Sequence, residues 1–136
     1  MAANDPDDAK RKAKIFFERA DEVRLRGHTL YAIELFLQGV GIDPESVEGH
    51  ESLRRLSLEH KASGGKPLGM FERMKLGKPA ASPLEDLLNA EKLLAYDPGN
   101  LEFMHRMQKA AVSGGFTHAA SWIEEIIRKA QPGFAP

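Results

Sequence analysis

The stretch LQGVGIDPES, residues 37–46, ends an apolar run with the pair Asp43-Pro44. The same signature returns as LLAYDPGN at residues 93–100, and a third version, RKAQPGF at residues 128–134, carries its proline at position 132. Proline stops a helix because it lacks the amide N–H and clashes with the preceding turn. The intervals between the three prolines are 54 and 34 residues. The pattern predicts a repeating helical unit, with 20 extra residues in the longer interval.

Composition indicates a soluble protein of single-domain size. The 136 residues are 42% hydrophobic and 29% charged, and the net charge is −1 at pH 7. A net charge so near zero gives no global attraction for nucleic acid or acidic lipid. The absence of cysteine excludes disulfides, thiolate metal sites and cysteine nucleophiles. The N-terminus has no signal-peptide core, and no window approaches 18 consecutive apolar residues, so we expect a cytoplasmic protein without a membrane span.

Capping residues and stop signals divide the chain into six predicted helices. Ser, Thr, Asp and Asn side chains accept hydrogen bonds from the free N–H groups at a helix start. The clearest start is Ser82, because Pro83 suits the first helical position and Glu85 completes a capping box. Strand signals are weak throughout, so an all-α fold is predicted. The predicted N-caps are Asp5, Ser46, Ser82, Asn100 and Thr117, and the third and fifth helices are placed at about 47–62 and 101–113.

The three prolines define repeating units. Counted back from each proline, the units are residues 13–46, 47–100 and 101–134, with residues 1–12 as an N-terminal extension of the first helix. The first and third units are both 34 residues long. Both hold Gly at the fifteenth, Ala at the twentieth and Pro at the thirty-second position, which argues against a generic bundle. The spacing resembles the tetratricopeptide repeat (TPR), a helix-turn-helix repeat of 34 residues.

Large and small residues follow the TPR pattern best in the first unit. Small residues let paired helices approach, and large ones fill the gap beside them. The matching residues are Phe16, Ala20, Val23, Gly27, Ala32, Phe36, Gly39 and Pro44 in the first unit and Met104, Met107, Ala111, Gly115, Ala120, Ile127 and Pro132 in the third. In the middle unit Arg54 and Asp86 stand where small residues are expected, so looser or altered packing is predicted there.

The resemblance implies a right-handed α-solenoid of three antiparallel helix pairs, about six helices in all, whose first helices line a concave groove. Family members are mainly binding scaffolds for peptides or partner proteins. Carried over position by position, the partner-binding groove comprises Lys14, Phe17, Asp21, Arg24, Glu51, Arg55, Leu58, His105, Arg106 and Lys109. One subgroup grips C-terminal carboxylates with Lys, Asn and Arg side chains, and of that set only Arg106 is present. The mixed charge beside Phe17 and Leu58 instead suits an extended segment of mixed or basic character. The alternative is a solvated helix face without a ligand.

The 20 extra residues lie between the two helices of the middle unit. They span about 62–81, and Gly and Pro at both ends mark a loop that leaves and rejoins the fold. The expected insertion contacts are Met70, Phe71, Arg73, Met74 and Lys75. Either the apolar side chains fill the altered packing of the middle unit, which we favour for part of the segment, or they form an exposed docking arm. A membrane or nucleic-acid contact is less supported, because the positive charges come without a stacking array.

The sequence predicts neither a catalytic nor a metal site. The five histidines form no His-x-x-x-His pair and no nucleophile motif is present. The stretch GGKP lacks the strand and the Ser or Thr of a phosphate loop. We therefore expect a non-enzymatic protein without cofactor, metal or small-molecule substrate, whose partner is a protein or peptide rather than nucleic acid or membrane.

The sixth predicted helix supports a second class of function. Repeat solenoids usually end in a polar capping helix, but this helix carries Trp122, Ile123 and Ile126 and the chain stops soon after it. Either Phe134 folds back on Trp122, or the apolar end is shared with another chain. The alternative to a peptide-binding scaffold is therefore a self-assembling structural module that forms a homo-oligomer through its C-terminal helix.

Overall fold

The computed structural model describes residues 6–131, which form seven α-helices and no strand. The predicted all-α class is confirmed. Seven helices lie in this range, not six, because the insertion contains a short helix of its own. The predicted roles of Asp5, Pro132 and Phe134 fall outside the described residues. The helices are α1 (Pro6–Leu25), α2 (Thr29–Ile42), α3 (Val47–Ala62), α4 (Met70–Gly77), α5 (Pro83–Tyr96), α6 (Leu101–Ser113) and α7 (Thr117–Ala130).

Three of the predicted helix starts are confirmed by side-chain caps. The Ser46 hydroxyl accepts the Gly49 N–H at 3.0 Å, at the start of α3. The Ser82 hydroxyl accepts the Glu85 N–H at 3.1 Å, at the start of α5. Asn100 accepts an N–H in the same way at 3.1 Å, at the start of α6. Each cap satisfies a backbone donor that has no partner within its own helix.

The start of α7 differs from the prediction. Thr117 is already the first helical residue, and Phe116 before it provides no side-chain cap. The α7 amides are bound instead by Glu45, from the corner between α2 and α3: its carboxylate accepts the N–H of His118 at 3.2 Å and of Ala119 at 3.0 Å. A carboxylate is well suited to the positive end of the helix dipole. Glu45 thereby fastens α7 to the α2–α3 corner.

The core consists of two clusters that share α5. The first joins α1, α2 and α3 around Phe36, Ile33 and Leu53, and it also includes Ala95 of α5. The second joins α5, α6 and α7 around Leu87, Met104, Met107 and Ile123. In residues 6–131 no helix combines the length and the apolar character needed to cross a membrane.

The third helix pair is attached through its second helix. α6 packs between α5 and α7, and α7 packs against α3. In a regular stack of helix pairs, α6 would be the helix of the third pair that packs against α3. The Trp122 ring of α7 stacks on the His50 ring of α3, with centroids 5.5 Å apart and planes at 23°. Together with Glu45, this contact explains why α7 occupies that place.

Each of the two large polar residues of the middle unit, Arg54 and Asp86, has a polar partner of its own. The Arg54 guanidinium donates to the Pro98 carbonyl at 3.0 Å, and burial lowers the pKa of Arg54. Asp86 accepts from Arg106 at 2.6 Å. Polar partners, rather than the apolar side chains of the insertion, therefore occupy the positions where altered packing was predicted.

Removing the Ser82 cap should destabilise the fold measurably. Ser82→Ala is expected to lower the free energy of unfolding by about 1 kcal/mol, because one α5 amide loses its acceptor. Urea denaturation followed by circular dichroism measures the effect. Ser121→Ala, on the exposed side of α7, is the matched control and should change stability by less than about 0.5 kcal/mol. Equal midpoints for the two variants would contradict the cap.

Candidate partner-binding groove

A hollow of about 640 Å³ lies between α1, the α2–α3 corner and the first turn of α3, and we refer to it as the α1–α3 groove. Its size lies within the range of ligand-binding clefts. The start of α7 contributes one residue to its rim. The lining residues are Lys10, Lys14, Phe17, Glu18, Asp21, Asp43, Glu45, Ser46, Val47, Glu48 and His118.

Phe17 forms the floor of the groove because two glycines make room for it. Its ring lies against Gly39 of α2 and Gly49 of α3, and a Cβ atom at either position would clash with the ring. The ring also stacks on Phe36 of the first core cluster, at 6.2 Å between centroids. Phe17 is therefore held from below while part of it still lines the groove. A fixed aromatic floor of this kind suits an apolar or cationic side chain of a ligand.

The groove walls are predominantly acidic. Five carboxylates face two lysines among the lining residues. Glu45 is engaged with α7, and Asp21 pairs with Arg24 at 3.4 Å. Within residues 6–131, Glu18 and Glu48 have neither an ion-pair nor a side-chain hydrogen-bond partner. These two carboxylates are free to meet a positively charged ligand.

A smaller hollow continues the groove toward the end of α1. It shares Asp21 with the larger hollow and adds Arg24 and Arg55. The structure thus brings together five of the predicted groove residues, Lys14, Phe17, Asp21, Arg24 and Arg55. Glu51 and Leu58 are exposed on α3 but line neither hollow.

The predicted groove residues of α6 are placed elsewhere. His105, Arg106 and Lys109 line a separate hollow of about 610 Å³ with the end of the insertion. The Arg106 guanidinium donates to Asp86 and, at 2.7 Å, to the Leu76 carbonyl. Arg106 is therefore occupied in holding the insertion against α5 and α6. The one residue that matched a carboxylate-gripping set is not available for that role.

The apolar side chains of the insertion are exposed, so the interpretation that they fill the middle unit was wrong. Met70, Phe71 and Met74 of α4 are 67%, 88% and 60% exposed. Arg73 and Lys75 are exposed as well. The physical reason is that Arg54 and Asp86 are satisfied by polar partners and leave no apolar gap to fill.

The insertion is nevertheless held in place. We refer to residues 62–81, including α4, as the insertion arm. Glu72 of α4 pairs with Lys92 of α5 at 3.0 Å, and Lys92 also reaches Glu34 of α2 at 3.4 Å. Burial opposes the charge of Lys92, but the two carboxylates raise its pKa above the ordinary value. With Arg106 at its far end, the arm is fixed on α5 while its apolar side chains face outward.

Sequence reasoning missed a buried histidine–carboxylate pair beneath the groove corner. His50 is fully buried, with Nδ1 2.7 Å from the Glu91 carboxylate and Nε2 2.7 Å from the Pro44 carbonyl. A carbonyl oxygen only accepts, so Nε2 carries a proton, and the carboxylate favours a second proton on Nδ1. Burial lowers the pKa of His50, but Glu91, the Pro44 carbonyl and Asp43 together raise it by more than burial lowers it. The pKa therefore lies above 6.5. The pair holds α3, α5 and the α2–α3 corner together.

One signal for this pair was present in the sequence. Glu91 lies four residues after Leu87 and three before Leu94, on the face of α5 that is otherwise apolar. A carboxylate at such a position requires a buried partner. Nothing local indicates that the partner is His50, which lies 41 residues earlier.

Neither a search for metal-binding side chains nor a comparison with known proteins assigns a function to this chain. Among residues 6–131, no three His, Asp or Glu side chains come close enough to hold a metal ion. Comparisons with protein-family models, with curated proteins and with solved structures found no match. The function is therefore inferred from the groove and the insertion arm.

Proposed function

We propose that this chain is a non-enzymatic, TPR-like scaffold that binds an extended segment of a partner protein in the α1–α3 groove. The observation that carries the proposal is the hollow of about 640 Å³ whose floor, Phe17, is fixed by its packing on Gly39 and Gly49. A binding site needs such a preformed concave surface with an apolar floor and a few polar groups around it.

The helix pairing of the first unit supports the TPR-like part of the proposal. Ala20 of α1 and Ala32 of α2 are fully buried, as expected where two helices approach closely. Gly27 adopts a φ of 87° in the turn between them, a conformation that favours glycine. The third unit departs from the pattern, because α7 rather than α6 packs on α3. The proposed site is therefore placed at α1, the α2–α3 corner and α3, and it includes no residue of α6.

The charge of the groove bears on the class of partner. Carboxylates outnumber lysines along its walls, which disfavours a nucleic-acid backbone and favours a segment that carries Lys or Arg. A cationic side chain could lie on the face of Phe17 while Glu18 and Glu48 balance its charge. The proposed partner is a protein or peptide in the cytoplasm.

Self-assembly through the C-terminal helix has less support. In the described part of the chain, α7 exposes no large apolar side chain. Ile123 and Ile127 are buried, and Trp122 and Ile126 are half-buried in the second core cluster. The exposed face of α7 is polar, as a capping helix would be.

Disrupting the groove should weaken partner binding without unfolding the chain. Phe17→Ala combined with Glu48→Lys is expected to weaken binding at least about tenfold, because it removes the floor and reverses a wall charge. Affinity can be measured by titrating the purified chain with the partner that it retains from extracts of its native cell. Thermal melting must show that the variant is folded at the temperature of the assay.

A matched variant separates the groove from the rest of the surface. Tyr31→Ala combined with Glu124→Lys makes the same kinds of change at exposed positions of α2 and α7 outside the groove. Its affinity should equal that of the wild type. If the groove variant binds as tightly as this control, the partner contacts another surface.

A further inference from the structure

The insertion arm and the α1–α3 groove have complementary chemistry. The arm exposes a Phe and two Met side chains together with Arg73 and Lys75, and its one acidic residue, Glu72, is already paired with Lys92. The groove presents an aromatic floor between the unpaired carboxylates of Glu18 and Glu48. Each surface thus offers what the other lacks: apolar side chains with positive charge on one, and an apolar floor with negative charge on the other.

The two surfaces do not meet within one molecule. α4 packs against α5, where the Glu72–Lys92 pair and Arg106 hold the arm. The groove is built from α1, the α2–α3 corner, the first turn of α3 and the start of α7, and none of its lining residues belongs to α4 or α5. The apolar side of α4 therefore stays uncovered in a single chain, although three large apolar side chains on one short helix are typical of an interaction site.

We propose that the insertion arm of one molecule docks in the α1–α3 groove of a second copy of this chain. The proposal rests on the proposed function, since it names the occupant of the same groove. Phe71 and a flanking methionine lie on the Phe17 ring, and Arg73 and Lys75 meet Glu18 and Glu48. Because arm and groove are different surfaces, each molecule keeps one of them free, and the contact extends into chains or closes into a ring.

The association should be weak and sensitive to salt. Three apolar side chains and a few ion pairs form a small interface, so we expect a dissociation constant between about 10 μM and about 1 mM. The ion pairs are exposed at their edges and are screened as the ionic strength rises. Sedimentation of the wild-type chain should therefore show larger species as concentration rises at low salt, and fewer of them at high salt.

Charge reversal tests the contact directly. The arm variant, Arg73→Glu with Lys75→Glu, and the groove variant, Glu18→Lys with Glu48→Lys, alter exposed side chains without an ion-pair partner among residues 6–131. Each is expected to associate at least about tenfold more weakly than the wild type. Mixing the two should restore association, because the wild-type arm of the groove variant fits the wild-type groove of the arm variant, and the acidic arm fits the basic groove. Arg26→Glu with Lys129→Glu changes the net charge as the arm variant does, at exposed sites on other surfaces, and should associate like the wild type.

Three results would overturn the proposal: a wild-type chain that remains monomeric to about 1 mM, an arm variant that associates as well as the wild type, or a mixture that fails to associate. The proposed function has a separate readout. A monomeric chain whose partner binding is lost on Phe17→Ala with Glu48→Lys would show that the groove is a binding site and that its occupant is not a second copy.

Discussion

Replacing Glu91 by alanine is expected to lower the free energy of unfolding by about 3–5 kcal/mol, the range seen when one partner of a buried ion pair is removed. His50 is fully buried, and the Glu91 carboxylate 2.7 Å away favours a second proton on its ring. Without that carboxylate the imidazole either stays charged without a counter-charge or loses the proton. A domain of this size has about 5–15 kcal/mol in total, so the variant should be close to unfolding. Guanidinium denaturation below pH 6.5, where the stabilisation by the second proton is fully present, measures the loss.

A double variant controls for lost packing. His50→Leu with Glu91→Leu replaces the ion pair by apolar side chains and should recover most of the lost stability, because both desolvation costs are removed together. The Pro44 carbonyl then loses its donor, so full recovery is not expected. If Glu91→Ala alone costs less than about 1 kcal/mol, the pair is not charged in the folded state.

The same pair makes stability depend on pH in a defined direction. Burial lowers the pKa of His50, but Glu91, the Pro44 carbonyl and Asp43 together outweigh it and raise the pKa above 6.5 in the folded state. The stabilisation that this proton brings is fully present below pH 6.5 and is lost as the pH rises through the folded-state pKa. The free energy of unfolding of the wild type should therefore fall over that interval. The double leucine variant should lack this part of the pH dependence.

Trp122→Ala is expected to cost about 3 kcal/mol, the lower end of the range for large aromatic side chains, because the ring is only half-buried. The indole packs in the second core cluster and stacks on His50 at 5.5 Å, so it joins α7 to α3. When His50 carries both protons, the imidazole adds a cation–π attraction to this packing. Because Trp122 is the only tryptophan, denaturation of the variant must be followed by circular dichroism.

Two further variants separate these contributions. Trp122→Phe keeps an aromatic ring in the same place and should recover more than half of the loss. Combining Trp122→Ala with His50→Leu closes a double-mutant cycle and should give a coupling of at least about 0.5 kcal/mol. Additive effects would show that the stacked rings stabilise α7 independently of one another.

The helices could be predicted because their ends depend on neighbouring residues. Ser46, Ser82 and Asn100 each bind an N–H three residues further along the chain, and such signals can be read locally. The start of α7 was mispredicted because its cap, Glu45, lies more than 70 residues earlier. The attachment of α7 to α3 depends on the same distant contact and on Trp122. The spacing of residues along a helix predicts neither the Glu45 contact nor the Trp122 contact.

The α1 part of the candidate site could be predicted because it, too, depends on neighbouring residues. Lys14, Phe17 and Asp21 share a helix face, so their common position along the groove follows from the spacing of three or four residues along α1. The α6 residues lie elsewhere because Arg106 pairs with Asp86 and with the insertion, a contact between segments 20 and 30 residues apart. The exposure of Phe71 could not be predicted either, since it depends on whether distant polar residues leave a gap.

The central claim is that a partner segment lies in the α1–α3 groove, and site-specific photo-crosslinking in the native cell tests it most directly. A photoreactive amino acid is placed at position 14 in the groove or at position 55 in the smaller hollow that continues it, and at position 124 on α7 as the control. We predict that one partner is captured from both groove positions but not from the control, and that Phe17→Ala with Glu48→Lys abolishes the capture. Capture of the same partner from position 124, or undiminished capture by the groove variant, would contradict the claim.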